Sequence, residues 1–397
     1  MTEEAITTQV RTVDLWATDG FVSIPDGNSL YVWGFAGAPD VPAQLPGPTL
    51  VIDQGDEVVV NLTNRLAEPV SLRFPGQEEV MVLGDGGWEP ARPQDAGGRR
   101  VSFMPAALPG QTITYRFVAA RPGTYLYESG TDPHRQVPMG LYGAIVVHPA
   151  DYDPATNRTA YGAGTGTEYD REYLMIFGEM DPEFHRAVRL GLPHDVKARR
   201  PRYWTLNGRC APDTLAPDRV PQLPNQPYGT LIEMEPGERV LLRYAGAGVD
   251  GHPIHPHGNH TRLVALDGHL LRNGASDLSY KRFTVRAGAG ETCDMIFEWT
   301  GLEFTPANPI PTVLPNLRNL VIGADGWTYW SGSAYLGHKG DLPVGVTSFN
   351  RIREHYIILH SHSEFQMTNW GEHPGGIMTF IAVYPAGTLG PDAGVLA

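Results

Sequence analysis

Histidine is unevenly spread along this chain. Four of its 14 histidines fall within nine residues, His252-Pro253-Ile254-His255-Pro256-His257-Gly258-Asn259-His260, and His360-Ser361-His362 closes the apolar run Tyr356-Ile357-Ile358-Leu359. A neutral imidazole offers one nitrogen lone pair, which makes it a general base, a hydrogen-bond acceptor or a metal ligand. Side chains two apart on an extended strand point the same way. His255 and His257 therefore share a face if their segment is extended, and so do His360 and His362. Two such pairs facing each other supply up to four imidazoles, a donor set that suits copper or zinc. A hydrogen-bonded histidine cluster, or a relic site that no longer fills, is the competing reading of the same residues.

The elements that must position these pairs are visible as an internal repeat. Thr49–Val60 is a strand, a Gly turn and a second strand, and Thr230–Leu241 echoes it. Gly55 is followed 21 residues later by Gly76, and Gly237 by Gly258 at the same spacing. Gly110–Phe117 then matches Gly290–Phe297, Gly123–Tyr127 matches His355–Leu359, and Gly140–Val147 matches Gly376–Val383. These segments alternate or run apolar in short lengths, as strands do. With 46 Gly and 35 Pro and no long helical periodicity, the chain reads as all-β. The expected organisation is a domain over 1–150, a linker over 151–169 and a homologous domain over 170–397. The second domain carries an insertion at about 302–348 in which Trp327, Tyr329, Trp330 and Tyr335 either roof a pocket or pack.

The formal net charge of −14 and the lack of any basic cluster beyond Lys197-Ala198-Arg199-Arg200 argue against a nucleic-acid or anionic-membrane partner. No run approaches the roughly 20 apolar residues that span a bilayer. Met1–Ile6 shows no basic, apolar leader, so a cytoplasmic location is expected, or a secreted one if a leader was removed. Cys210 and Cys293, the two cysteines, are expected to be buried apolar residues rather than a disulfide framework.

The run Leu45-Pro46-Gly47-Pro48-Thr49-Leu50, the His252–His257 motif and the His360–His362 motif resemble those of multicopper oxidases. The resemblance implies two cupredoxin-like Greek-key β-barrel domains. It also implies four ligand motifs: two HxH in the first domain, then HPxHxH, then HCH followed by a further His and a Met. Family members take electrons at a blue copper and pass them through the HCH cysteine to a three-copper cluster that reduces dioxygen. Here the first motif is replaced by Arg73-Phe74-Pro75 and the second by Glu128-Ser129-Gly130. The third is present as His252, His255 and His257, while the fourth has Ser361 in place of cysteine, followed by Gln366 and Met367.

Blue copper requires a thiolate, which a serine hydroxyl cannot replace. Neither a blue site nor a full trinuclear cluster is therefore expected. The layout implied by the resemblance leaves room for one transition-metal ion, copper by family, with zinc, iron or manganese as alternatives. Its ligands would come from His255, His257, His360, His362 and Glu128. Glu128 has an equal competing role as the partner of Arg73 in a buried ion pair, and these two residues are also the candidate catalytic groups. His252 is expected to have become structural, and His134, Asp132, His260 and His373 to lie on surface loops. Met367, Met378 and Gly375-Gly376 are expected at strand entry and in the core. Three functions stay open. One is metal-assisted oxidation or Lewis-acid chemistry on a small organic molecule at the domain interface. The others are metal-free catalysis or ligand binding on the same scaffold, and metal binding without turnover. A homo-oligomer, a trimer by resemblance, is the implied assembly.

Overall fold

The computed structural model describes residues 9–299, 354–371, 375–391, 393–394 and 396. The expected insertion at 302–348, with its Trp and Tyr residues, and His373 lie outside the described residues. Among the described residues strands dominate, and the three α-helices, Pro133–Gln136, Pro182–Leu190 and Glu364–Thr368, are short.

The strands form two sandwiches with the same topology. In the first, one sheet runs in the order Ser29–Ala36, Val10–Ser23, Glu57–Asn64, Thr112–Val118, Met81–Gly84, Gly87–Pro90. Its partner sheet runs Leu50–Asp53, Tyr142–His148, Gly123–Ser129, Leu72–Arg73. In the second, the path is Tyr203–Leu206, Arg171–Met180, Arg239–Gly246, Thr292–Glu298, Thr261–Leu266, His269–Leu270. Opposite it lie Ile232–Met234, Met378–Val383, His355–Ser361, His252–Pro256 and Val285–Ala287. Each sandwich even repeats its two parallel pairings, Val10–Ser23 with Glu57–Asn64 and Arg171–Met180 with Arg239–Gly246 in one sheet, Leu50–Asp53 with Tyr142–His148 and Ile232–Met234 with Met378–Val383 in the other. Crossovers between sheets place strands distant in sequence side by side, the Greek-key habit of β-sandwiches.

The local sequence explains the elements. Val58, Val60 and Leu62 alternate with half-buried residues, so one face of Glu57–Asn64 enters the core. Gly76 and Gly258 turn the chain at equivalent points, with φ of 86° and 84°. A Cβ at Gly76 would lie 2.4 Å from the Tyr125 ring, so only glycine fits there.

Three of the four buried apolar clusters among the described residues position the site. One fills the first sandwich around Phe35, Tyr115, Phe117 and Tyr127, and another fills the second around Phe177, Tyr244, Ile254, Ile357 and Leu359. A third joins Leu126, Ala144 and Val146 of the first half to Leu174, Ile176 and Ala245 of the second. The smaller sheet of the first domain thus packs on the larger sheet of the second. Strands buried on both faces lose the alternation of apolar and polar residues, as Gly123–Ser129 and Tyr142–His148 do.

The seam also holds a buried polar network. The fully buried Arg243 pairs with Glu172 and lies 3.3 Å from Asp294, which accepts Thr124 Oγ1 and Tyr161 Oη at 2.5 Å each. Burial pushes the Glu172 carboxyl upward, but Arg243 and His148 outweigh it and hold it at about 2. Cys210 and Cys293 are buried thiols with no disulfide. No helix among the described residues is long and apolar enough to cross a membrane.

Candidate functional site

His252–Pro256 and His355–Ser361 are neighbouring antiparallel strands in which His255 stands directly across from His360. The pairing continues beyond both ends: His257 N–H donates to Ile358 O at 2.9 Å and His362 N–H to Pro253 O at 2.7 Å. Ile254, Ile357 and Leu359, of opposite parity, point into the core. The four imidazoles of His255, His257, His360 and His362 consequently occupy one face of the sheet, the face turned away from its own core. Ring centroids are 4.9 Å apart for His255–His257, 5.0 Å for His255–His362, 5.3 Å for His257–His360, 5.7 Å for His255–His360 and 5.8 Å for His360–His362.

Hydrogen bonds to carbonyls fix two of the tautomers. His255 Nδ1–H donates to Phe283 O at 2.6 Å and His360 Nδ1–H to Ser361 O at 2.8 Å, which leaves each Nε2 with its lone pair. Burial pulls both imidazoles below the ordinary histidine value, and the charge of neighbouring histidines acts in the same direction; the carbonyl contacts oppose it. Both rings are therefore neutral at pH 7, the form that ligates metals. His257 Nε2 and His360 Nε2 approach to 3.2 Å, a hydrogen bond that His257 Nε2–H donates to the lone pair of His360. Two nitrogens about 2.0–2.1 Å from one ion at a tetrahedral angle are separated by about 3.3 Å, so this pair has the bite of a shared ion. A preformed set of three is not present: no group of three or more His, Cys, Asp or Glu side chains among the described residues could hold an ion as it stands.

Glu128 and Arg73 lie elsewhere. They are directly opposed on Gly123–Ser129 and Leu72–Arg73, and Arg73 Nη2 donates to Glu128 Oε1 at 2.7 Å. Burial raises the Glu128 carboxyl, while the Arg73 charge and hydrogen bond pull it back down. Glu128 has the parity of Thr124 and Leu126, which face the larger sheet of the second domain. The histidines sit beyond that sheet, on the outer face of the smaller one. Within one chain the partner of Glu128 is thus Arg73, the ion-pair role weighed for it from the sequence. The histidine face does not line the interface between the chain's own domains, because the domains meet through the other sheet.

The comparisons with known proteins show what this chain is similar to. The multicopper oxidase family model matches residues 25–151. An iron transport multicopper oxidase of Gibberella zeae is 26% identical over 239 residues, which make up 60% of this chain and 32% of that protein. An L-ascorbate oxidase of Cucumis sativus is 33% identical over 145 residues, 36% of this chain and 20% of that one. This is a multicopper oxidase-like protein. Its match spans about a third or less of the length of those relatives. In fold it is similar to a blue copper oxidase of Nitrosomonas europaea, with a TM-score of 0.60, 21% identity and coverage of 94% of this chain and 86% of that one. It is also similar to a copper nitrite reductase of the same organism, with a TM-score of 0.59, 18% identity and 98% coverage of both chains. Both neighbours fit the cupredoxin-type all-β architecture, and the family implies copper.

Within this multicopper oxidase-like protein, the place of the blue-copper ligands holds a hydrogen-bonded set. Ser361 Oγ–H donates to Gln366 Oε1 at 2.7 Å, and His252 Nδ1–H donates to the same oxygen at 3.2 Å. Gln366 Nε2–H reaches Gly251 O at 3.1 Å. His252 is fully buried, with Nε2 3.6 Å from Glu179 Oε2. None of these groups is a soft sulfur donor. A full three-copper cluster has no fit either, since its first-domain ligand positions hold Arg73, Pro75, Glu128 and Gly130.

The remaining candidates are peripheral. His134 is 66% exposed and contacts Asp132 at 2.9 Å, and His260 is exposed beside Phe283. Met378 opens a strand, and Met367 lies in the short helix Glu364–Thr368. The Ser–Gln pairing had no signal in the sequence beyond the two residues themselves.

Proposed function

We propose that this protein binds one transition-metal ion, copper by family, on the histidine face and uses it in non-blue chemistry on a small organic molecule. The single observation that carries the reading is the 3.2 Å approach of His257 Nε2 and His360 Nε2 inside a four-imidazole array. Bound there, an ion would supply Lewis acidity or oxidation by direct contact with substrate. The chain's own groups do the rest. The Phe283 and Ser361 carbonyls hold His255 and His360 in the ligating tautomer. His255 and His362 would supply the remaining donors, since both already lie on the same face. Zinc, iron and manganese suit the same nitrogens and are outcomes of the same test.

The face is open, with Phe283 60% exposed next to His255. Phe103, 45% exposed, stands at the equivalent point in the first domain, with Arg73 Cζ 5.8 Å from its ring. A homo-oligomer in which the Arg73–Glu128 face of one copy meets the histidine face of the next would enclose the site, and the matched exposed rings support it.

A second reading rests on Glu128, a buried carboxyl raised above its usual range beside the half-exposed Arg73. This is the kind of pair that performs acid–base work without metal. Elemental analysis of the purified chain, then activity before and after chelation, separates the two. One ion per chain, lost in His257→Ala and His360→Ala, is the expected result. Activity that survives complete metal removal but fails in Glu128→Gln would replace the first reading with the second.

A further inference from the structure

We infer that Gln366 is the positioning residue of the histidine face: its amide clamps the two strands that carry the imidazole pairs and fixes their register. This rests on the metal reading above for its functional meaning, though not for its geometry. Gln366 is 3% exposed and sits on the short helix Glu364–Thr368, with its side chain turned to the strand ends. One end of the amide takes the hydroxyl of Ser361, the residue between His360 and His362. The other end donates to Gly251 O, four residues before His255. A single buried amide therefore joins the end of one histidine strand to the start of the other. His252 Nδ1–H closes the set on the same oxygen.

The first domain contains the same clamp, independently spaced. Ser129 Oγ–H donates to Gln136 Oε1 at 2.6 Å, and Gln136 Nε2–H donates to Pro69 O at 3.0 Å. Ser129 follows Glu128 as Ser361 follows His360, and Pro69 precedes Arg73 by four residues as Gly251 precedes His255. Gln136 is 1% exposed and also comes from a short helix, Pro133–Gln136. Yet serine and glutamine are seven residues apart in the first domain and five in the second. Loops of different length thus deliver the same two groups to the same two places. The first domain has Val70 where the second has His252, so the clamp does not need an imidazole. What the two clamps share is a directly opposed cross-strand pair next door, Arg73–Glu128 in one and His255–His360 in the other. A buried amide with both ends satisfied is a rigid connector, and removing it strands a hydroxyl and a carbonyl without partners.

The twin clamp supplies its own control. Copper(II) affinity is measured by titration on the whole chain for wild type, Gln366→Leu, Gln136→Leu and Ser361→Thr. The expected result is a loss of roughly tenfold or more in Gln366→Leu, the usual size for an outer group that orients a metal ligand. Gln136→Leu should stay within about twofold while lowering Tm comparably, and Ser361→Thr, which keeps the hydroxyl, should bind like wild type. Unchanged affinity in Gln366→Leu, or an equal loss in Gln136→Leu, overturns the inference. If Gln366→Leu does not fold, Ser361→Ala removes one arm only and is read the same way. Should the wild type take up no copper, the metal reading fails and the clamp is still tested without metal, through the histidine ring signals in long-range ¹H–¹⁵N NMR spectra. Ring signals of His257 and His360 that move in Gln366→Leu but not in Gln136→Leu support the clamp, and signals unmoved in both refute it.

Discussion

Arg73 and Glu128 occupy, in the first domain, the register that His255 and His360 occupy in the second, each pair directly opposed across neighbouring antiparallel strands. The backbone lattice, the flanking serine and the glutamine clamp are shared, so the difference is confined to the side chains. Arginine and glutamate neutralise one another at 2.7 Å and leave nothing unsatisfied that a cation could use. The two imidazoles in the ligating tautomer bring no counter-charge of their own, so a cation could replace the proton that His257 Nε2 now shares with His360 Nε2. The same sandwich can therefore hold a closed site or an open one. Which it holds depends on whether the opposed pair carries its own counter-charge.

The strongest way to break this comparison is to exchange the pairs. His255→Arg with His360→Glu should close the second site and lower copper(II) affinity at least about a hundredfold, or roughly 2.7 kcal/mol. The circular dichroism spectrum should be kept, because the first domain shows that the lattice accepts this pair. The converse change, Arg73→His with Glu128→His, should gain only weak binding, since Pro75 and Gly130 stand where His257 and His362 would be needed. A chain with the exchanged second pair that still titrates like wild type would remove the basis of the distinction.

A second test asks whether the blue-copper position is closed by serine alone. The geometry says it is closed twice, because Gln366 presents an amide oxygen to His252 where a trigonal site needs a second imidazole. Ser361→Cys should therefore give no intense visible band with copper(II), whereas Ser361→Cys with Gln366→His should give one, using His252 as the second nitrogen. Strong colour from the single variant would show that glutamine is no barrier.

Much of this was open to reading from the chain itself, and the boundary of what was not is physical. The repeat and the histidine pairs could be read because they depend on short spacings: period-two alternation puts His255 with His257 whatever the rest of the molecule does. The all-β architecture followed from matched strands in matched order. What the chain alone could not give was which face of one domain meets which face of the other. Matching two repeats says which strands correspond, but not which sheet of one domain lies against which sheet of the other. That is decided by residues such as Leu126 and Ile176 meeting across the seam. The seam network was hidden for the same reason, since Arg243 and Glu172 are 71 residues apart and follow no period. The clamps were hidden by their unequal serine-to-glutamine spacings, which erase them from any comparison made at fixed offset.

The smallest expected effect, and the sharpest on the closed site, comes from Arg73→Met. Glu128 is nearly buried while Arg73 is 36% exposed, so solvent screens the pair and its loss should cost about 1–2 kcal/mol, between the values for surface and buried pairs. The pH dependence carries the sign. Burial sets the folded Glu128 carboxyl above the unfolded value of 4.5 despite Arg73, so folding favours its protonated form. Its contribution to stability is full below that value and declines as pH rises through the folded one. Taking away Arg73 removes the charge that pulls the carboxyl down, so the decline should deepen and extend to higher pH. Glu128→Gln should abolish the dependence in either background, and the double variant should recover part of the loss. Urea denaturation of the four proteins across the acid-to-neutral range measures this directly. Parallel profiles for wild type and Arg73→Met would mean that the guanidinium does not close the first site by charge, and that shape alone separates it from the second.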